Sequence, residues 1–428
     1  MLDNTSDYRS LICYALLLII LFLFKHKNYI VFTFSWSFLS FSLGGGQVFG
    51  FPFSRFYLVL LYFVTFYFIL TSKTKYFHSN KMSLFSKVLL LIILKIIMDT
   101  FVYGTNQFRV ELLVIAFHVL FLSGYIFQTC FRLNGFEKTV KDFIVASVLI
   151  HGVISVILFV PLFQNQVIPA LGLGHRITIF NQDTINSARP FYLFIIFLLS
   201  AFHLKLIKNK YLKIIVTVIG MTCFFIIFLN GSRQYVIALG ILLVFPIIKF
   251  NVKTFLFAGV AIVMITPFLN FVNNKFADIS VVERFSSDQI ERENDEGRSA
   301  IWKKGFSEML SENPILGLGF RNFGNEIINY SADNQNFTIK KDNAHGFFQE
   351  VFIEHGVILG ILILISFIFS FFELRIKLSY NNSLLNSIIT LLLGFIIPNF
   401  FTGYIMSSMG FYLLGLFLYN YPKLSLQK

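Results

Sequence analysis

Cysteine, charge and nucleotide-binding motifs are all scarce in this chain. Its three cysteines, Cys13, Cys130 and Cys223, sit in apolar stretches with no C-x-x-C spacing, which excludes a disulfide framework and a cysteine metal site. Only 13% of the residues are charged, against about 25% in a soluble domain, so a large soluble catalytic domain is excluded. There is no G-x-x-x-x-G-K-[ST] loop, and no strand precedes Gly317-Leu318-Gly319, so nucleotide use is not indicated. There is no H-E-x-x-H and no acidic pair of D-x-D type; Asp295-Glu296 lies in a mixed-charge run that reads as solvated surface. No cofactor is implied, and any chemistry is expected to be metal-independent. Internal repeats and low-complexity tracts are absent as well.

Apolar residues take their place. The 428 residues are 56% hydrophobic, include 57 Phe and have a mean hydropathy of +0.73. A membrane-spanning helix needs roughly 20 apolar residues, so the content matches about twelve spans. Apolar runs fall at about 10–24, 28–43, 55–71, 88–103, 109–130, 142–163, 190–207, 211–229, 234–249, 254–271, 346–373, 384–401 and 403–420. The first is followed by Lys25 and Lys27 with no A-x-A-like cleavage site, and reads as a retained span. The expected fold is an all-α polytopic integral membrane protein with 12 or 13 transmembrane helices. Residues 1–271 hold ten of them, 272–344 form one large extracytoplasmic loop, and 345–428 hold the last three. That loop carries 12 of the 22 acids and almost no apolar run.

The formal charge of +13 would suggest nucleic acid in a soluble chain. In a membrane protein it labels the cytoplasmic side. With thirteen spans and an inside C-terminus, inside segments hold 17 Lys with Arg132 and Arg375, while short outside segments hold Arg9, Arg55, Arg109, Arg176, Arg189 and Arg233. The large loop, the 164–189 loop and the 230–233 turn then face away from the cytoplasm. The outside set is wholly arginine, whose rigid fork of donors suits bidentate phosphate binding where lysine offers only a point charge. Arg9, Arg55 and Arg109 read as interfacial snorkellers.

Candidate chemistry gathers on the outside face. Asn230-Gly231-Ser232-Arg233 is a tight turn opening a helix, whose free N–H groups favour an anion. His345 stands where the large loop re-enters the membrane, and its imidazole can take a proton from a sugar hydroxyl near working pH. Glu350 and Glu354 follow; on one continuous helix at about 100° per residue they would lie at about 140° and 180° from His345. Ionisable groups within a span are functional candidates. Lys95, His118, His151 and His203 read as structural or snorkelling.

Several stretches resemble the O-antigen polymerase and ligase family, membrane enzymes that move glycans from an undecaprenyl-diphosphate carrier. They are Gly297-Arg298-Ser299-Ala300-Ile301-Trp302, then Asn313-Pro314-Ile315-Leu316-Gly317-Leu318-Gly319-Phe320, then Asn343-Ala344-His345 and Gly356. Together they are similar to the family's G-R-x-x-x-W … P-x-x-G-x-G … H-N … G pattern; Ser232-Arg233 resembles its upstream S-R turn, and His175-Arg176-Ile177 the Arg-bearing loop before that. Gly346 follows His345, and Leu359 stands where the family's ligases have Gly, Thr or Tyr, which favours polymerase over ligase. Phe180-Asn181-Gln182-Asp183 replaces a common Pro-Asn pair and weakens the case for Arg189.

The resemblance implies a repeat-unit polymerase in a bacterial plasma membrane, acting on undecaprenyl-diphosphate-linked glycan donor and acceptor among membrane lipid. A chain-length regulator is a further partner to consider; nucleic acid is not. Arg176 and Arg233 would hold the diphosphate, His345 would be the base, and Arg298, Arg321, Arg189 and Glu350 would support them. Trp302 reads as a loop anchor before a sugar platform. An O-antigen ligase joining polysaccharide to lipid A core, and a lipid-glycan flippase or transporter, are the alternatives.

Overall fold

The computed structural model describes residues 47–48, 51–52, 84–104, 135–162, 184–230, 232–244, 299–319, 327–332, 335–340 and 346–400. In order, the elements are β1 (Gln47–Val48), β2 (Phe51–Pro52), α1 (Leu84–Tyr103), α2 (Phe136–Leu162), α3 (Thr184–His203), α4 (Lys210–Asn230), α5 (Arg233–Val244) and α6 (Ser299–Glu312). There follow β3 (Ile327–Ala332), β4 (Gln335–Lys340), α7 (Phe347–Lys377), α8 (Asn382–Ile396) and a 3-10 turn at Ile397–Phe400. The described residues are helical apart from two antiparallel hairpins, β1–β2 and β3–β4, the latter in register Ile327 to Lys340. Helices account for most of the expected runs that begin at 88, 142, 190, 211, 234, 346 and 384, with residues 245–249 of the 234 run outside the described residues; the other six runs lie outside them entirely. Within α2, α4 and α7, three stretches are long and apolar enough to cross a membrane: Phe136–Val156, Lys210–Asn230 and Phe348–Lys377.

The contacts divide the chain into two compact units. In the first, α3 packs on α2 and α4. From Ala188 to Leu198 every α3 residue is buried, the behaviour of a helix that is hydrophobic all round. Small residues let its neighbours approach: a β-carbon on Gly152 would meet the Phe194 ring at 3.0 Å, and one on Gly220 would meet Leu198 at 3.0 Å. Hydroxyls fasten it to α8, since Ser387 Oγ donates to the Ser200 carbonyl at 3.0 Å and Ser200 Oγ to the Ser387 carbonyl at 3.3 Å. Polar pairs of this kind hold helices together where lipid removes the hydrophobic drive.

In the second unit α7 packs against α1 and α6. α6 buries Ile301 and Met309 with Leu318 and Ile353, and Trp302, Phe306 and Val357 pack around them. Trp302 is therefore part of a hydrophobic cluster, as a loop anchor should be. The 272–344 segment, expected to hold almost no apolar run, contains a helix with one apolar face, because Ile301, Trp302, Phe306 and Met309 recur at helical spacing while the polar residues between them mask the run.

The run expected as one helix from 346 is two helical pieces. Gly356 breaks α7 with φ 83° and ψ 174°, a backbone conformation open to glycine and strained for other residues. Residues 357–377 on their own would measure roughly 31 Å at 1.5 Å per residue, about the thickness of a bilayer core. The piece before the break, Phe347–His355, is therefore additional to a full span.

Candidate functional site

An unbroken helix would pair the Val357 N–H with the Ile353 carbonyl and would use the Glu354 carbonyl in the same way. At the break, residues 313–319 supply the partners. Leu318 N–H donates to Ile353 O at 2.9 Å, Gly319 N–H to Glu354 O at 3.0 Å, and Val357 N–H to Pro314 O at 2.9 Å. The loop thus replaces the hydrogen bonds that the helix gives up, a condition for irregular backbone beside a membrane span. It is shaped for this by Asn313, whose Oδ1 accepts from Leu316 N–H at 3.1 Å and whose carbonyl accepts from Gly317 N–H at 2.8 Å. Gly317 and Gly319 both have positive φ, 74° and 91°.

Buried ionisable groups lie on α7 around this break and on α1, the helix that packs against α7. Glu350 is fully buried in the first turn of α7, where a carboxylate complements the helix N-terminus. Glu354 and His355, immediately before Gly356, are buried too. From α1, Lys95 and Asp99 form a buried ion pair, and Tyr103 lies against Gly319, whose β-carbon would meet its ring at 2.6 Å. Of the two readings of Lys95, structural or snorkelling, the buried pair agrees with the structural one. Asp99 and His355 were missed, although Lys95, Asp99 and Tyr103 at four-residue spacing in an apolar run is a legible signal.

The helix geometry expected for His345 is also corrected. Gly346 is the N-cap in extended conformation, φ −162° and ψ 130°, and Phe347 is the first helical residue. Angles projected from His345 along one helix therefore do not apply. Glu350 and Glu354 are four apart on the same short piece, both buried.

In the first unit, Arg189 lies buried in the second turn of α3, and not in a loop ahead of a helix starting at Pro190. The apolar run begins at about 190, but the helix starts at Thr184. Arg233 opens α5. The Asn230–Arg233 turn is tied internally: Ser232 Oγ donates to Asn230 Oδ1, and the Ser232 carbonyl accepts from Tyr235 N–H at 3.0 Å. Tyr192, three residues after Arg189, stacks on Tyr235, two after Arg233, with ring centroids 4.4 Å apart. The two arginine-bearing helices are thereby joined close to the arginines' own positions. His151 is buried and stacked on Phe197 at 5.2 Å, in keeping with its structural reading. Arg176, Arg298, Arg321 and His345 lie outside the described residues, as does His118.

These features define a helical membrane protein with polar and ionisable groups gathered at a helix break and at a tight interhelical turn. Residues 216–365 match the family model described as O-antigen ligase. The match places this stretch, from α4 into α7, in the O-antigen polymerase and ligase-like family, and it contains Ser232-Arg233, the 297–302 and 313–320 motifs, His345 and Gly356. No curated protein matches the chain. Members of the family act on lipid-linked glycans.

Proposed function

We propose that the protein polymerises undecaprenyl-diphosphate-linked oligosaccharide repeat units into O-antigen, capsule or exopolysaccharide on the outer face of the bacterial plasma membrane. The observation that carries this reading is the docking of Asn313–Gly319 on the α7 break within the family-matched stretch. It gives the family's glycines a structural task, and it builds a rigid element whose first helical residue comes two after His345.

In the proposed reaction an acceptor sugar hydroxyl attacks the anomeric carbon of the donor glycan. His345 takes the hydroxyl proton, a new glycosidic C–O bond forms, and the bond to the carrier diphosphate breaks with inversion. Arg176 and Arg233 hold the diphosphate and neutralise the charge that grows on it, the point at which electrostatic help raises rate. Arg189, Arg298 and Arg321 support that grip and Glu350 orients the acceptor side. The step needs no metal. The fold proposed around it has 12 or 13 spans, with the 272–344 loop facing outward.

A ligase reading is favoured by the match to an O-antigen ligase family, and the Gly346 and Leu359 departures weigh against it. Deletion separates the two: loss of a polymerase leaves single repeat units, whereas loss of a ligase leaves long polysaccharide on the carrier. The second result would refute the polymerase. A reporter fused at residue 310 should give an extracytoplasmic signal; a cytoplasmic one would refute the orientation.

A further inference from the structure

Lys95, Asp99 and Tyr103 stand four residues apart in a mostly apolar stretch of α1, the helix that packs against α7. Tyr103 meets Gly319. Asp99 is buried and accepts the ion pair from Lys95. Tyr103 is one turn beyond Asp99, and the Gly319 that it meets donates its N–H to the carbonyl of Glu354, the residue before His355, which is fully buried just ahead of Gly356. Stability does not explain such a pair. Burying each ion costs several kcal/mol before their attraction is counted, and apolar residues of similar volume commonly replace a buried pair without loss. Acid ahead of base is the better order on a helix, and here the base comes first. What marks the position is the neighbouring piece of α7, which carries Glu350, Glu354 and His355 and follows directly from His345-Gly346.

We propose that the Lys95–Asp99 pair is a positioning element of the transfer site. It fixes the charge beside His355 at the broken end of α7, and through that the setting of the short helical piece that leads back to His345. The inference rests on the transferase reading above. Neither residue is given contact with substrate; both act through His355 and the break.

The test uses the full-length protein in lipid nanodiscs with a lipid-linked repeat unit as substrate. Lys95→Met should lower kcat about tenfold or more while KM stays within about twofold, the pattern of a setting that matters only in the transition state. Lys95→Arg should recover most of the rate. The decisive variant is Lys95→Met/Asp99→Leu, which removes both buried charges and packs the space. If the pair acts through its charge at His355, this variant holds its protein level yet remains about tenfold down in kcat. Wild-type kcat in the double variant, or a loss confined to KM, overturns the proposal.

A second arm does not depend on turnover. In histidine-labelled protein, the His355 ring resonances, assigned by their loss in His355→Gln, should move in Lys95→Met and stay in a Lys304→Met control. Unmoved resonances overturn the proposal. Active wild type with an unaffected Lys95→Met overturns this inference alone. Inactive wild type overturns the transferase reading, and the resonances then decide whether the pair sets His355.

Discussion

Gly317 and Gly356 lie backbone to backbone: a β-carbon on Gly317 would sit 2.5 Å from the Gly356 nitrogen, and one on Gly356 would sit 2.7 Å from the Gly317 nitrogen. Both have positive φ. Two glycines 39 positions apart in sequence thus form one contact, because the loop must come close enough to take over the hydrogen bonds of a broken helix. The P-x-x-G-x-G stretch and the later glycine are a single structural device. They hold the piece of α7 that follows His345.

Alanine at either glycine should therefore cost far more than alanine at a glycine with positive φ alone. Gly104 is the control, with φ 81° and nothing within 4 Å of an added β-carbon. Gly104→Ala should cost about 1 kcal/mol of backbone strain. Gly317→Ala or Gly356→Ala should cost about 3 kcal/mol or more, since the atoms they meet are backbone and cannot rotate away. Thermal unfolding followed by the fluorescence of Trp302, in the cluster beside this contact, reads the difference. Equal losses at 104 and 317 would refute the close packing.

Gly319 differs from these two in what it touches. Its added β-carbon would meet the Tyr103 ring, a side chain that can be shortened. Gly319→Ala should be destabilising alone, and Tyr103→Leu should offset part of that loss, with a coupling of about 1 kcal/mol in a double-mutant cycle. Additive effects would show that the α1 contact does not constrain the loop.

Long apolar runs were the most legible feature of the chain. The runs at 88–103, 211–229 and 384–401 correspond to α1, α4 and α8 within a few residues, because their apolar content is continuous and their ends are polar. The break in α7 was not legible: Gly356 sits inside an apolar run, and only the distant Pro314 to Gly319 segment makes a break affordable. The start of α3 was not legible either: the apolar run begins at about 190, whereas the helix begins at Thr184, in polar sequence, and carries Pro190 inside it. For Lys95 the choice between a structural and a snorkelling role depends on a partner, and Asp99 one turn on supplies it. The candidate site was readable as a set of residue types, whereas the support beneath it required the fold.

The mutual serine bonds between α3 and α8 give a test of packing remote from any chemistry. Ser387→Ala removes the 3.0 Å bond to the Ser200 carbonyl. Such bonds between membrane helices are worth about 0.6 kcal/mol on average, so a small fall in unfolding temperature is expected with transfer activity retained. A loss of several kcal/mol would mean that the junction carries more of the fold than two hydroxyls explain.

The assignment of His345 as base, with Glu350 in support, can be decided by comparing the two. A positioned general base is worth about 10²–10⁴-fold in rate, so His345→Ala should lower kcat by that factor while protein level holds. Glu350 lies buried in the first turn of α7, where its charge complements the helix N-terminus. Glu350→Gln keeps its shape and removes that charge, and should cost roughly tenfold in kcat as the loss of an orienting group. The order of the two effects carries the argument. If Glu350→Gln costs as much as His345→Ala, the glutamate is as good a candidate for the base as the histidine. If His345→Ala retains full activity, the proton must leave by another group, and buried Glu350 becomes the first to test.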